Sequence, residues 1–437
     1  MSGRGCQWGL GLALHWLGNS LIFSENPEGS IVNSPAQTVP PLFSPDFLRD
    51  PYPTYRQHLA GPGLQPLPIR ADAWAVFSYD GCVNLLRTPG ITSVRPPQAI
   101  VAVAEEERAP FKDFIDHMGR WVLFLDAPAH TRLRRFMNKG FAPLTVEKLR
   151  PRVVAAVDSL LTKAEDTADF DVIRDFAYPL PVRIISELLG LPESLYDRCI
   201  ALSTDIATWL GQLRRNAEDS RRAQDAVKEL IGYFEMAIRE RSAGQQDLLH
   251  LLLEMMQSEQ GTTLDDVYAQ CVLLLVAGHE TTRNLIGNGV YTLLTHAQSL
   301  GELREDPELI GSAVEEVLRF ESPVQAFGRA TRTELEIEGV RVPAGSSIMI
   351  VLGAAHRDPA QFSDPDRFDI QRKHIRHMAF GGDAHVCLGS TLARLEGQVA
   401  IAALLERFPR LRLVDSRPDW GTNFAFRGLR SLRVAVD

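Results

Sequence analysis

Phe380-Gly381-Gly382-Asp383-Ala384-His385-Val386-Cys387-Leu388-Gly389 is the stretch on which the reading of this chain turns. It closes a segment, residues 356–386, rich in Pro, Asp, Gly and His and too long for a plain connector. Loops of that length usually carry function. From Leu388 to Phe408 apolar residues return at helical spacing. Cys387 therefore stands where an irregular loop meets the start of a helix, whose N–H groups and dipole favour an anion. A cysteine so placed is expected to have a lowered pKa and to act as metal ligand or nucleophile. The glycines let backbone approach a flat object closely. A buried structural cysteine in a turning loop is the plainer alternative.

Any sulfur chemistry rests on one residue. Cys6, Cys82, Cys199, Cys271 and Cys387 are odd in number and scattered, with no Cys-x-x-Cys pair. That argues against a disulfide framework or structural zinc, and a reducing cytoplasm is the default. Lys plus Arg number 46 against 55 Asp plus Glu, a net charge of −9 that argues against general nucleic-acid binding. No linker divides the chain after residue 45, so residues 43–437 are expected to form one large unit behind a flexible extension, 1–42. In that extension the apolar run Trp8–Leu17 and the following Leu21-Ile22-Phe23 are separated by Gly18, Asn19 and Ser20, and His15 interrupts the run. A spanning helix needs about 20 consecutive apolar residues, so no stable membrane anchor is expected. Weak membrane contact or targeting are the other readings of this segment.

Leu64 to Tyr79 reads as paired short strands, with Pro66 and Pro68 placing the first at an edge. Asp126-Ala127-Pro128 looks like a helix start with an N-cap acid. Helical spacing recurs over Leu144–Lys163, Ile184–Leu189, Ala217–Arg241 and Pro307–Phe320. Thr263 to about His296 is a long helix, apolar on nearly every face and opened by a Thr263-x-x-Asp266 capping box, which predicts burial through the middle of the molecule. Glu334 to Leu352 alternates in the strand manner. The class is mainly α with small β-sheets.

Within the long helix lies Ala277-Gly278-His279-Glu280-Thr281-Thr282. An acid and a hydroxyl inside an apolar helix are costly unless used. The Thr281 hydroxyl can bond the Ala277 carbonyl and locally open the helix, leaving a notch for a small molecule to which Glu280 and Thr281 relay protons. A kinked core helix is the bland alternative. His279-Glu280 begins a zinc-protease-like string, but Arg283 stands where the second histidine is needed. Glu316 and Arg319 share a helix face, an arrangement usually found as a surface ion pair. His130 and Arg134, four apart, can grip one anionic group. Arg132, Arg135 and Lys139 form a basic stripe on that same helix, either a docking face for an acidic partner or a solvated surface.

The chain resembles the cytochrome P450 family over residues 45 to 437. The family's haem-binding signature is Phe-x-x-Gly-x-His-x-Cys-x-Gly. Phe380, His385, Cys387 and Gly389 match it, and Asp383 replaces its glycine. Three further motifs occur in the family's order. The resemblance implies a triangular, mainly helical bundle around a buried haem b (iron protoporphyrin IX) with Cys387 as axial ligand of the iron. It implies propionate contacts from His130, Arg134, Arg329 and His385, and proton delivery by Glu280 and Thr281. It also implies a structural role for Glu316 and Arg319, with Arg367 as their partner. Leu274, Ala277, Val324, Ala326 and Phe327 should border a small organic substrate. The loop Thr88–Met118 should shape the pocket, and the helix opened by Pro192-Glu193-Ser194 is either a lid element or ordinary packing. The implied reaction inserts one oxygen atom from O₂, with electrons from a separate ferredoxin and its reductase, since no flavin or iron–sulfur motif is present. Peroxide-driven or rearranging haem-thiolate enzymes, and a haem gas sensor, are the rivals. None of them needs the Glu280-Thr281 pair.

Overall fold

Thr263 caps the longest helix as its pattern predicts. The hydroxyl accepts from the Asp266 N–H at 3.4 Å, and the Asp266 carboxylate accepts from the Thr263 N–H at 2.8 Å. The helix then runs from Leu264 to Thr295, and Val267 to Val276 is buried on every face. Neighbours come in close where side chains are missing. A Cβ on Gly287 would meet Ile173 at 2.4 Å, and one on Gly289 would meet Ile401 at 2.7 Å.

The computed structural model describes residues 41–95, 107–165, 169–212, 216–242, 244–245, 247–415 and 417–436. Residues 1–40, nearly all of the expected extension, and residues 96–106 of the 88–118 loop lie outside the described residues. In chain order, the elements that build the site are β1 (Leu64–Pro66), β2 (Ala73–Val76), β3 (Ile91–Thr92), α1 (Ala129–Gly140), α2 (Pro179–Leu188), α3 (Tyr196–Gly211), α4 (Leu264–Thr295), α5 (Ile310–Phe320), β4 (Ala326–Thr331), β5 (Ser347–Val351) and α6 (Ser390–Arg407).

These strands form one five-stranded sheet in the order β1-β2-β5-β4-β3. Pro66 sits in the edge strand, where its missing N–H costs no ladder bond. β2 pairs with β5 in parallel, Ala73 opposite Ser347 and Val76 opposite Ile350, across some two hundred and seventy residues of chain. β4 runs antiparallel beside β5, with Ala326 opposite Val351. The main core is helical, with α4 packed against α2, α3, α5 and α6. The molecule is thus mainly α with small sheets.

One expected cap is corrected. Asp126 does not cap α1. Its carboxylate accepts from the Thr92 hydroxyl, from the Ser93 N–H at 3.1 Å and from Arg332, so it ties β3 to the end of β4. Pro128 is the residue at the N-cap position. A carboxylate that reaches a guanidinium and two other donors gains more than one capping bond offers.

Candidate active site

The Cys387 loop turns back on itself before α6 begins. The Cys387 N–H donates to the Phe380 carbonyl at 2.8 Å, and the Gly381 N–H to that of Met378 at 2.8 Å. Gly381 has φ +72° and Asp383 φ +55°, both left-handed. Gly389 is the N-cap of α6, so Cys387 lies just outside the helix. Its exposed surface faces an internal chamber and not bulk solvent. Burial pushes the thiol up, and the Gly389 N–H, Arg134 and Arg394 only oppose that shift. The lowered pKa expected from sequence is therefore corrected: loss of solvation outweighs the helix end. A bound metal ion would deprotonate such a thiol outright.

The chamber has a volume of about 600 Å³. Phe380, His385, Cys387 and Gly389 line it from the loop, and Leu274, Ala277, Glu280 and Thr281 from α4. Val324, Ala326, Phe327 and Arg329 line it from the segment entering β4, and His130 and Arg134 from α1. Residues scattered over more than two hundred and fifty positions thus meet around one space.

Its rim carries positive charge with little to balance it. Arg134 donates to the Val386 carbonyl at 2.7 Å. Arg329 and Arg95 both donate to the Gly328 carbonyl, at 3.0 and 2.7 Å. Burial, and then Arg95 beside it, push Arg329 down to about 10. The rings of His130 and His385 lie 4.0 Å apart. Burial, then His130 and Arg329, hold His385 near 4. Asp126, the acid that these groups feel, is already engaged. Guanidiniums have donors to spare, so the cluster suits an added anionic group. Arg95 was not found from sequence. It stands alone in a loop before two prolines, with no periodicity to mark it.

On α4, the Thr281 hydroxyl donates to the Ala277 carbonyl at 3.0 Å, the bond read from the motif. The helix runs on through this turn to Thr295. Glu280 is buried. One carboxylate oxygen meets Arg283 at 3.2 Å, and the other has no partner.

Glu316 and Arg319 lie away from the chamber and are no surface pair. Both side chains are fully buried, joined by bonds of 2.8 and 2.6 Å. Arg319 also donates to the carbonyls of His356, Pro365 and Arg367 at 2.8–3.0 Å. The predicted partner needs correction. The Arg367 side chain is 60% exposed and only its carbonyl takes part, whereas Arg372 places its Nε 3.1 Å from Glu316. The loop delivers a backbone acceptor at one position and the guanidinium five residues later.

Comparison with known proteins agrees with this geometry. The cytochrome P450 family model matches residues 98–419. The chain belongs to the cytochrome P450 family. It is 40% identical to cytochrome P450 107B1 of Saccharopolyspora erythraea over 369 residues, 83% of this chain and 89% of that one. It is 39% identical to the cytochrome P450 monooxygenase PikC of Streptomyces venezuelae, over 89% of this chain and 92% of that one. The solved structure of P450BioI in complex with hexadec-9Z-enoic acid ligated acyl carrier protein superposes with a TM-score of 0.83 at 34% identity, covering 90% and 99% of the two chains. This P450 is accordingly an oxidoreductase of the monooxygenase class with a haem-thiolate cofactor, acting with redox partners and O₂ on a small organic substrate. Its residues fit a haem: a thiol facing a chamber, with buried basic groups short of counter-charge at the rim.

Proposed function

We propose that Cys387 is the axial ligand of a haem b and that this P450 hydroxylates or epoxidises a largely apolar small molecule, with electrons from a separate ferredoxin and its reductase. The observation that carries this reading is the convergence, in one chamber, of the Cys387 thiol, the Glu280-Thr281 pair and the uncompensated basic rim. When bound, the haem supplies the activation of O₂ and the oxidising power. His130, Arg134, Arg329 and His385, joined by Arg95, would hold its carboxylates. Phe380 and Gly389 bound the thiolate side. Arg394 lies over the Phe380 ring at 4.3 Å and makes a bidentate pair with Glu315 (2.6 and 2.9 Å), which fixes the loop that aims Cys387.

Leu274, Ala277, Val324, Ala326 and Phe327 offer the substrate an apolar surface and keep water out. Thr281 presents its hydroxyl from the same wall, and Glu280 stands beside it as the acid that takes protons from water and passes them on. Glu280 is buried, so few competing acceptors surround its carboxylate. The Arg132-Arg135-Lys139 stripe of α1 supports an acidic electron donor. Arg135 is 65% exposed and shares its charge with Glu259 at 2.5 Å. Cys82, Cys199 and Cys271 are buried thiols, in keeping with a reducing cytoplasm.

The test is a screen of apolar small molecules for the spin-state change of the ferric protein, followed by turnover of the hits under labelled dioxygen. One labelled oxygen atom per product molecule is expected. Product carrying oxygen from water or peroxide would contradict the reading.

A further inference from the structure

Phe43 is held where a phenylalanine is out of place. The Ser44 N–H donates to the Pro41 carbonyl at 3.1 Å, which closes a four-residue turn with Phe43 at its third position and φ +67°. Glycine or asparagine ordinarily fills such a position, because a Cβ crowds the backbone there. The other described non-glycine residues with positive φ are Glu338, Asp364, His374 and Asp383, so Phe43 is the one large apolar side chain among them. Strain of this kind persists where surrounding contacts over-determine it.

The contacts here are aromatic. The Phe43 ring stands edge-on to Phe424, with centroids 4.9 Å apart, and edge-on to Phe47 at 6.0 Å. Edge-on pairs are a favoured arrangement of such rings. Ser44 caps the short helix Pro45–Arg49, its hydroxyl accepting from the Phe47 N–H at 3.1 Å, so turn and helix place both rings at once. Phe47 lies 5.8 Å from Phe424. The backbone around Phe424 is pinned from elsewhere. Asn423 Oδ1 accepts from the N–H groups of Ala425 and Phe426 at 3.0 and 3.1 Å, and the Ala425 carbonyl accepts from the Gln325 N–H at 2.8 Å. The direction of the ring is then set by what it packs against, Phe43 and Phe47.

Phe424 is a wall residue of the chamber. With Ile69, Ala73 and Met349 it lines the space from a second, smaller core, distinct from the helical core that holds Phe380 and Leu388 of the Cys387 loop. Phe424 is buried and Phe43 half-buried, so the wall here is two rings deep, with the chamber on one side and solvent on the other.

We propose that Phe43 is a positioning residue for substrate: by bracing the Phe424 ring from outside, it limits the length of apolar chain that the chamber admits. The inference rests on the reading of the chamber as an apolar substrate site beside a haem, and it deepens that reading by naming the wall that measures the substrate. Glycine at position 43 would relax the turn but leave Phe424 free to swing outwards into the vacated space. Phenylalanine keeps the turn strained and the wall shut.

The experiment needs neither the substrate nor the electron donor. Ferric holoprotein is titrated with 1-alkylimidazoles from butyl to dodecyl, whose ring nitrogen binds the iron and whose chain extends into the chamber. The shift of the Soret band gives each dissociation constant. In the parent, affinity should rise with chain length and then level off. In Phe43→Gly it should go on rising over about two more methylene groups, so that the longest chains bind about tenfold tighter than to the parent, while 1-butylimidazole stays within about twofold. Phe43→Tyr, which keeps the ring, should keep the parental profile. In a Phe424→Ala background Phe43→Gly should change nothing. An unchanged profile in Phe43→Gly would overturn the proposal. So would an equal gain for 1-butylimidazole, which would mean general loosening, or a gain that persists in the Phe424→Ala background, which would mean a route other than Phe424. Phe43→Asn, which also tolerates the left-handed turn and lacks the ring, carries the test if Phe43→Gly does not fold. A parent protein without the thiolate-type carbon monoxide band would overturn the haem-thiolate reading itself, and this proposal with it.

Discussion

Asp383 stands where the family signature has glycine, and its backbone is left-handed at φ +55°. Asp is one of the few residues with a side chain that enters this region readily, and most others pay roughly 1–2 kcal/mol. The side chain is exposed, so its charge is screened. Asp383→Gly should leave the melting temperature of the holoprotein close to the parent's, and Asp383→Ala should lower stability by about 1 kcal/mol. A neutral Asp383→Ala would mean that the turn does not hold this conformation. Redox titration of Asp383→Gly should show a small rise in potential that fades as salt is added. At this scale sequence reading picked out Cys387 and His385 from a glycine-rich loop-to-helix junction, and both line the chamber. It missed Arg95, whose importance exists only where β4 passes beside it. It also misjudged the Cys387 thiol, because local chain context reveals the helix end but not the burial that outweighs it.

Among the elements, α4 was the most legible: its caps, length and uniform apolarity are local properties of its own residues. The network around α5 was half legible. The Glu316–Arg319 spacing was visible, but full burial and the choice of Arg372 over Arg367 depend on how an irregular loop folds over the helix. That choice is testable. Arg319→Leu leaves a buried carboxylate and three carbonyls short of donors, at about 3–5 kcal/mol. Arg372→Ala removes one of the guanidiniums on Glu316 and should cost about 1–2 kcal/mol. Arg367→Ala keeps the carbonyl that matters and should stay within about 0.5 kcal/mol of the parent. Urea unfolding of the three variants checks the order. A costly Arg367→Ala beside a neutral Arg372→Ala would restore the partner first read from sequence.

The whole molecule has properties that no single element shows. The parallel pairing of β2 with β5 joins distant parts of the chain and left no trace in local pattern, yet it carries β4, and with it Phe327 and Arg329, to the chamber. Glu396 on α6 is another such case. It is 2% exposed, one of its oxygens has no partner, and burial raises it from 4.5 to about 8. Below its unfolded pKa both states hold the proton and folding pays nothing. As pH rises from about 4.5 towards 8 the unfolded chain ionises while the native residue stays neutral, so stability falls by up to about 1.4 kcal/mol per unit. Glu396→Gln should therefore gain on the parent steadily between about pH 5 and pH 8 in urea unfolding, by a few kcal/mol in all. A difference that does not change with pH would show that Glu396 is ionised in the native state. The central claim of the account is that the Cys387 sulfur, facing the chamber, holds the iron. The carbon monoxide spectrum of the reduced protein tests it most directly. The parent should show the red-shifted thiolate Soret band, and Cys387→His should lose that band even where haem is retained. An unshifted band in the parent, or an unchanged one in Cys387→His, would contradict the account.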